Sequence, residues 1–147
     1  MDYRVGKVDR IFAVRFDEGD DFLEELTRLV HREKIDNGWF QVMGGLRQVD
    51  LVTGPREAVM PPEPVWRSMS GAYETLGCGS VYRDENGEAK IHLHAALGHH
   101  GETLTGCLRK NSKVYLVLEL LLMEISGFTA RRPWFAEGGF NRVTFAD

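Results

Sequence analysis

His92 and His94 stand one residue apart. On an extended strand, side chains at i and i+2 share a face, so both imidazoles would point the same way. Cys107 follows beyond a glycine-flanked turn, Gly98-His99-His100-Gly101. If Leu97 pairs with Glu102 across that turn, His92 stands opposite Cys107 and His94 opposite Thr105. Directly opposed Cβ atoms lie about 5 Å apart and diagonal neighbours within about 8 Å. Two imidazoles and a thiolate form a ligand set that suits zinc, with a fourth position left for water or substrate. A slip of one residue would turn Cys107 to the other face and abolish the set. The competing reading is structural: His92 and His94 hydrogen-bond within a core, and Cys107 packs as a small apolar group. His99 and His100 sit in the turn itself, where solvation is the ordinary state. His31 falls on the outer face of a helix.

Glu119 is the one charge in the apolar run of residues 114–123. A carboxylate in a buried strand has to be paired, protonated or functional. It is a candidate acid–base group, or a hydrogen-bonding partner for the histidines. The structural alternative is an ion pair with Arg15 or Arg47, within the chain or across an interface between copies.

The chain that must position these groups has an ordinary globular composition. Of its 147 residues, 43% are hydrophobic and 27% charged, with a formal net charge of −4. Collagen-like, coiled-coil and wholly disordered chains are excluded. No global positive field draws in nucleic acid or anionic lipid. The length favours a single domain over residues 1–147. The first ten residues alternate charged and apolar groups and lack the apolar stretch of a secretory leader. The apolar run around Glu119 is about half of what spans a bilayer, so no membrane association is expected. Two cysteines, Cys78 and Cys107, in a chain that needs no disulfide suit a reducing cytoplasm.

Residues 5–16 alternate imperfectly and read as a strand. In Asp17-Glu18-Gly19-Asp20-Asp21 the acidic groups suit the positive end of a helix, and Asp21 with Glu24 fits a capping box. Phe22, Leu23, Leu26, Leu29 and Val30 recur at helical spacing, and Asn37-Gly38 supplies the stop. From Trp39 the pattern turns to β. Residues 39–43 and 46–52 are strands with Gly44-Gly45 breaking or bulging between them. Residues 53–65, rich in proline, are loop. Residues 66–70, 73–76 and 80–83 are strand candidates. Asp84-Glu85-Asn86-Gly87 is a hairpin turn. Residues 90–97 and 102–108 flank the histidine turn. Residues 114–125 are long enough for a helix, but their Val, Tyr, Leu and Ile content favours a buried strand. Residues 131–139 are loop and 140–145 a final strand. The sum is an α+β arrangement, one main helix on a mostly antiparallel sheet.

Several segments, in order, resemble the plants-and-prokaryotes-conserved (PPC) domain of AT-hook nuclear-localised proteins and their bacterial relatives. Arg15-Phe16-Asp17-Glu18-Gly19-Asp20-Asp21 is similar to the family's helix entry. Trp39-Phe40-Gln41-Val42-Met43-Gly44-Gly45-Leu46 is similar to its glycine-broken strand. Gly71-Ala72-Tyr73-Glu74-Thr75-Leu76 is similar to its Gly-Arg-Phe-Glu-Ile-Leu motif. Ile91-His92-Leu93-His94, followed by Thr105-Gly106-Cys107-Leu108, resembles its histidine strand and the Gly-Gly-His-Leu hairpin after it. The resemblance implies an antiparallel sheet of about seven strands and a compact homotrimer. It implies a metal at His92 and His94, with Cys107 replacing the family's third histidine. Glu74 occupies the family's glutamate position and joins Glu119 as a candidate acid–base group.

Two functions follow from that resemblance. The first is a PPC-type homotrimer with a DNA-associated or regulatory role. Net negative charge argues that nucleic acid is reached through a partner, and Arg131-Arg132-Pro133-Trp134 lacks the glycine of a minor-groove hook. The second is a small metal-dependent lyase or hydrolase acting on a small-molecule ligand, by analogy with acetolactate decarboxylase, to which the family fold is similar.

Overall fold

The computed structural model describes residues 1–146. β1 (Lys7–Asp17) turns Phe12, Val14 and Phe16 toward the core and leaves Ile11, Ala13 and Arg15 on its other face. α1 (Phe22–Arg32) begins where the sequence places it. The Asp21 carboxylate accepts from the Glu24 N–H, Glu24 and Glu25 occupy the first turn, and His31 and Arg32 the last. Phe22, Leu26 and Val30 form its buried stripe. Phe16 meets Phe22 edge to face, with centroids 5.1 Å apart.

The helix ends before the expected Asn37-Gly38 stop. Lys34 takes the left-handed conformation (φ 55°). Its N–H donates to the His31 carbonyl, and the Ile35 N–H donates to the Val30 carbonyl at 3.0 Å. This paired closure is a Schellman motif. It drives Ile35 fully into the core, and that burial offsets the strain at a lysine. Asn37 and Gly38 instead open the next strand.

The remaining long strands are β2 (Asn37–Pro55), β3 (Pro64–Arg83), β4 (Ala89–His99) and β5 (Glu102–Ser126). They pair antiparallel in the order β1-β5-β2-β3-β4, and β4 also pairs with β5, so the last four strands close on one another. The segments expected as separate strands in residues 66–83 and 102–125 are continuous but bent. One bend is explicit. The β2–β5 register shifts at Gly44/Gly45, where Gly44 has φ 134° and a Cβ would lie 2.4 Å from the Val117 carbonyl oxygen. Leu116 is left-handed close by (φ 61°). A bulge of this kind lets a long strand turn a corner without losing its partner. After β5 come two short ribbons, β6 (Ala130–Arg131) with β9 (Thr144–Phe145), and β7 (Trp134–Phe135) with β8 (Phe140–Asn141). Among the described residues there are five long strands and four short ones, where the resemblance implied a sheet of about seven.

The helix covers one face of the sheet, and Leu93, Ala95, Leu97, Leu118, Leu120 and Leu122 pack beneath it. The opposite face corrects the reading of residues 114–125 as a wholly buried strand. The strand alternates, so Val117, Glu119 and Leu121 project outward and are exposed. Ile11, Trp39, Met43 and Leu76 share this exposure. Among the described residues no helix is long and apolar enough to cross a membrane.

Gly79 is where the core and the histidine strand come closest. A Cβ there would lie 2.4 Å from Cζ of Phe40 and 2.5 Å from the His92 carbonyl oxygen. Gly79→Ala is expected to destabilise the chain by about 1–3 kcal/mol, measured by urea unfolding. A change within about 0.5 kcal/mol would show that the strands part without cost.

Candidate metal centre

β4 carries both histidines, His92 paired with β3 and His94 standing between β3 and β5. Leu93, Ala95 and Leu97 face the core and are at most 2% exposed, so the alternate residues His92 and His94 face outward. The hairpin to β5 is tighter than expected. His99 pairs with Glu102, leaving His100 (φ 48°) and Gly101 (φ 86°) as a two-residue turn. Two consecutive left-handed residues give the turn whose twist matches the strands it joins. The register therefore differs by two residues from the expectation. Cys107 stands opposite His94 rather than His92, and Thr105 opposite Ala96. An even slip preserves the face, and the three side chains still converge. A ligand atom from each of His92, His94 and Cys107 lies within 4.8 Å of the other two. The imidazole centroids are 5.0 Å apart, and Cys107 is 6% exposed.

The other histidines do not join them. The His99 ring Nδ1 lies 2.7 Å from the Ala72 carbonyl oxygen, and its ring packs against Tyr73 and His100. His31 lies by the Arg83 guanidinium. Glu74 pairs with Gly98, four residues along β3 from the partner of His94, or about 13 Å. Glu119 lies on the outward face as His94 does, but Met43 and Leu76 stand between it and Ala96, three strand spacings or roughly 14 Å away, and His94 lies two residues further along β4. Neither carboxylate reaches the trio within one protomer. The ion pairs weighed for Glu119 take other partners. Arg15 is its cross-strand neighbour, but Arg15 Nε lies 2.9 Å from an Asp17 carboxylate oxygen, and Arg47 pairs with Glu18.

Three side chains near the trio were not singled out from the sequence. Cys78 pairs with His94 on the β3 side, and both cysteines are free thiols. Its position follows from extending the Asp84–Gly87 hairpin, whose turn Asp84 holds by accepting from the Asn86 and Glu88 N–H groups. Arg132 is only 5% exposed. Its Nη2 donates to Ser80 Oγ at 2.8 Å and its Nη1 to the Lys90 carbonyl at 3.2 Å, and the guanidinium lies 5.0 Å from the Tyr82 ring centroid. Arg109 follows Cys107 on the same strand face and is exposed.

Burial, reinforced by the positive charges of Arg132, His94 and Arg109, lowers the His92 imidazole to about 4. It is therefore neutral, as a metal ligand must be. Burial raises the Cys107 thiol, against a smaller opposing pull from Arg109. The donor set of two imidazole nitrogens and one sulfur fits zinc and is wrong for the oxygen-seeking ions magnesium and calcium.

Comparison with known proteins agrees with this architecture. The family model of the Plants and Prokaryotes Conserved (PCC) domain matches residues 3–126. No curated protein matches the chain. Among solved structures, the metal-containing protein AF0104 from Archaeoglobus fulgidus is 20% identical with a TM-score of 0.84, covering 100% of both chains. A plant- and prokaryote-conserved protein from Pyrococcus horikoshii is 23% identical with a TM-score of 0.82, covering 96% of each. A "putative DNA-binding protein" from Ralstonia eutropha JMP134 is 18% identical with a TM-score of 0.75, covering 90% of this chain and 89% of that one.

The titration directions fix how zinc affinity should depend on pH. His92 carries no proton to lose near neutrality, whereas the raised Cys107 thiol must give one up. Zinc binding is expected to release about one proton and to tighten about tenfold between pH 7 and pH 8. Titration calorimetry in buffers of different ionisation enthalpy reads both. Cys107→His should keep the ion and flatten the slope. An equally steep slope in that variant would show that the proton does not come from the sulfur.

Proposed function

This chain belongs to the Plants and Prokaryotes Conserved domain family, and from that premise we propose that it is a zinc-binding, homotrimeric member acting as a small metal-dependent lyase or hydrolase. The observation that carries the reading is the convergence of His92, His94 and Cys107 from two paired strands, with their ligand atoms within 4.8 Å. These three would hold the ion and leave one position open. Zinc so held supplies a Lewis acid that polarises a carbonyl or a water. Pairing with β3 fixes both imidazoles and pairing with β5 fixes His94 again, and the burial of Cys107 limits water at the sulfur. Glu74 and Glu119 are the acid–base groups of this proposal, and each would have to approach the centre from an adjacent copy. The two free thiols suit a reducing cytoplasm.

Assembly is supported by the outward sheet face. Ile11, Met43 and Leu76 are 62%, 56% and 68% exposed there, with Trp39 and Leu121 beside them. A contiguous apolar surface of this kind on a lone protomer points to association. Purified protein is expected to carry about one zinc per chain by elemental analysis. Light scattering should give about three chains per particle. His92→Ala should lose the metal, and Leu76→Glu should shift the mass toward the monomer. Protein free of zinc, with a melting point indifferent to chelation, would overturn the enzyme reading.

A regulatory role beside DNA is a second reading, favoured by the name of the Ralstonia relative. The net charge of −4 and the burial of Arg132, which keeps that segment from reaching into a minor groove, favour contact through a partner. Bare duplex DNA should therefore show no shift on a gel at physiological salt. Tight, salt-sensitive retardation would reverse this placement.

A further inference from the structure

Beside the three metal ligands runs a groove of about 940 Å³. It is walled by the ends of β2 and β3, by β4 and β5, and by the short ribbons after β5. The residues lining it include three cations, Lys90, Arg109 and Arg132, and no aspartate or glutamate. Lys90 is matched from outside the groove, with Nζ 3.0 Å from an Asp84 carboxylate oxygen. Arg132 is not matched in this way. Its side-chain hydrogen bonds go to the neutral Ser80 hydroxyl and the Lys90 carbonyl, and among the described residues no carboxylate lies within 4.0 Å of it. Burial accordingly pulls its pKa downward. A buried guanidinium without a counter-charge is unfavourable. A zinc ion held by a single thiolate would add further positive charge rather than remove it. The groove therefore has an unmet demand for an anion.

Much of the remaining lining is apolar. Trp66, Trp134 and Phe140 belong to it and are 50%, 56% and 42% exposed. A guanidinium fork matches the planar geometry of a carboxylate, and indole faces suit a flat apolar body.

We propose that this groove binds a small organic carboxylate, its carboxylate held by Arg132 and Arg109 next to the metal ligands and its apolar body lying against Trp66 and Trp134. The inference names a ligand class for the proposed zinc site and rests on that reading only for the ligand's neighbour, since the two arginines and the indoles do not depend on the ion.

Benzoate tests this, with benzamide as its uncharged counterpart, by calorimetry on the full chain with and without zinc. Benzoate is expected to saturate at about one per chain and to bind at least roughly tenfold more tightly than benzamide. Arg132→Gln should weaken benzoate by about tenfold or more while the zinc content stays unchanged. Because Arg132 is buried, that variant is interpreted only if its circular dichroism matches the parent. Exposed Arg109→Gln provides an independent loss of about threefold to tenfold. Benzoate bound no better than benzamide would overturn the proposal whether or not zinc is present. So would folded Arg109→Gln with undiminished affinity. A chain without zinc that still prefers benzoate leaves this inference standing and removes the metal reading alone.

Discussion

β4 pairs with β3 over Ala89–Gly98 and with β5 over His94–His99, so β3 fixes the place of both histidines and β5 fixes His94 a second time. His94 lies between Cys78 and Cys107, and His92 opposite Ser80. The alternate residues Leu93, Ala95 and Leu97 are buried. Sliding the strand by one residue would expose these three and bury both imidazoles. At about 1.5–3 kcal/mol for each large apolar side chain, that error is comparable to the stability of a whole domain. The core thus holds the candidate ligands in register. Gly79 belongs to the same constraint. The absence of a side chain there lets Phe40 and the His92 backbone approach from opposite sides.

The electrostatics of the site follow from the same packing. The shelter is partial, since Cys107 is buried while His92 and His94 are exposed; it lowers the His92 imidazole and raises the Cys107 thiol, which would favour one as a ligand and hinder the other. The same shelter leaves Arg132 charged among neutral acceptors. Arg132 and Trp134 come from the segment after residue 126, beyond the residues matched by the family model. The wall facing β4 is built in part by the ribbons of β6 to β9.

Legibility in the sequence followed the range of the interaction. Asp21, Glu24 and the stripe Phe22-Leu26-Val30 are local signals, and the helix starts where they place it. The helix stop depends on burying Ile35, a contact with the core that no local pattern carries. The His92-His94-Cys107 face was readable because strand period and turn position are both local. The partner assignment was off by two because His100 adopts a left-handed conformation that histidine seldom takes. Long bent strands were divided into pieces because a bulge at Gly44 looks like an ending when only one strand is in view. Arg132 gave no signal, since its proximity to His92 arises from a ribbon folded back over β3 and β4.

The apolar run of β5 has a reason that composition alone could not resolve. A strand covered on one face alternates, while one covered on both reads as continuously hydrophobic. Here the inner row is Leu118, Leu120 and Leu122, beneath the helix, and the outer row is Val117, Leu121 and their neighbours on β1, β2 and β3. Among the described residues no element covers that outer row, so the sequence carries the signature of a second covering that the protomer does not supply. This supports the proposed assembly more directly than any exposed side chain taken singly. It also explains why Glu119 matters. Its cross-strand neighbour Arg15 already shares its charge with Asp17, so a second copy laid on this face would have to bring Glu119 a donor or leave a carboxylate buried without a partner. Either outcome would make Glu119 the side chain whose environment changes most on association.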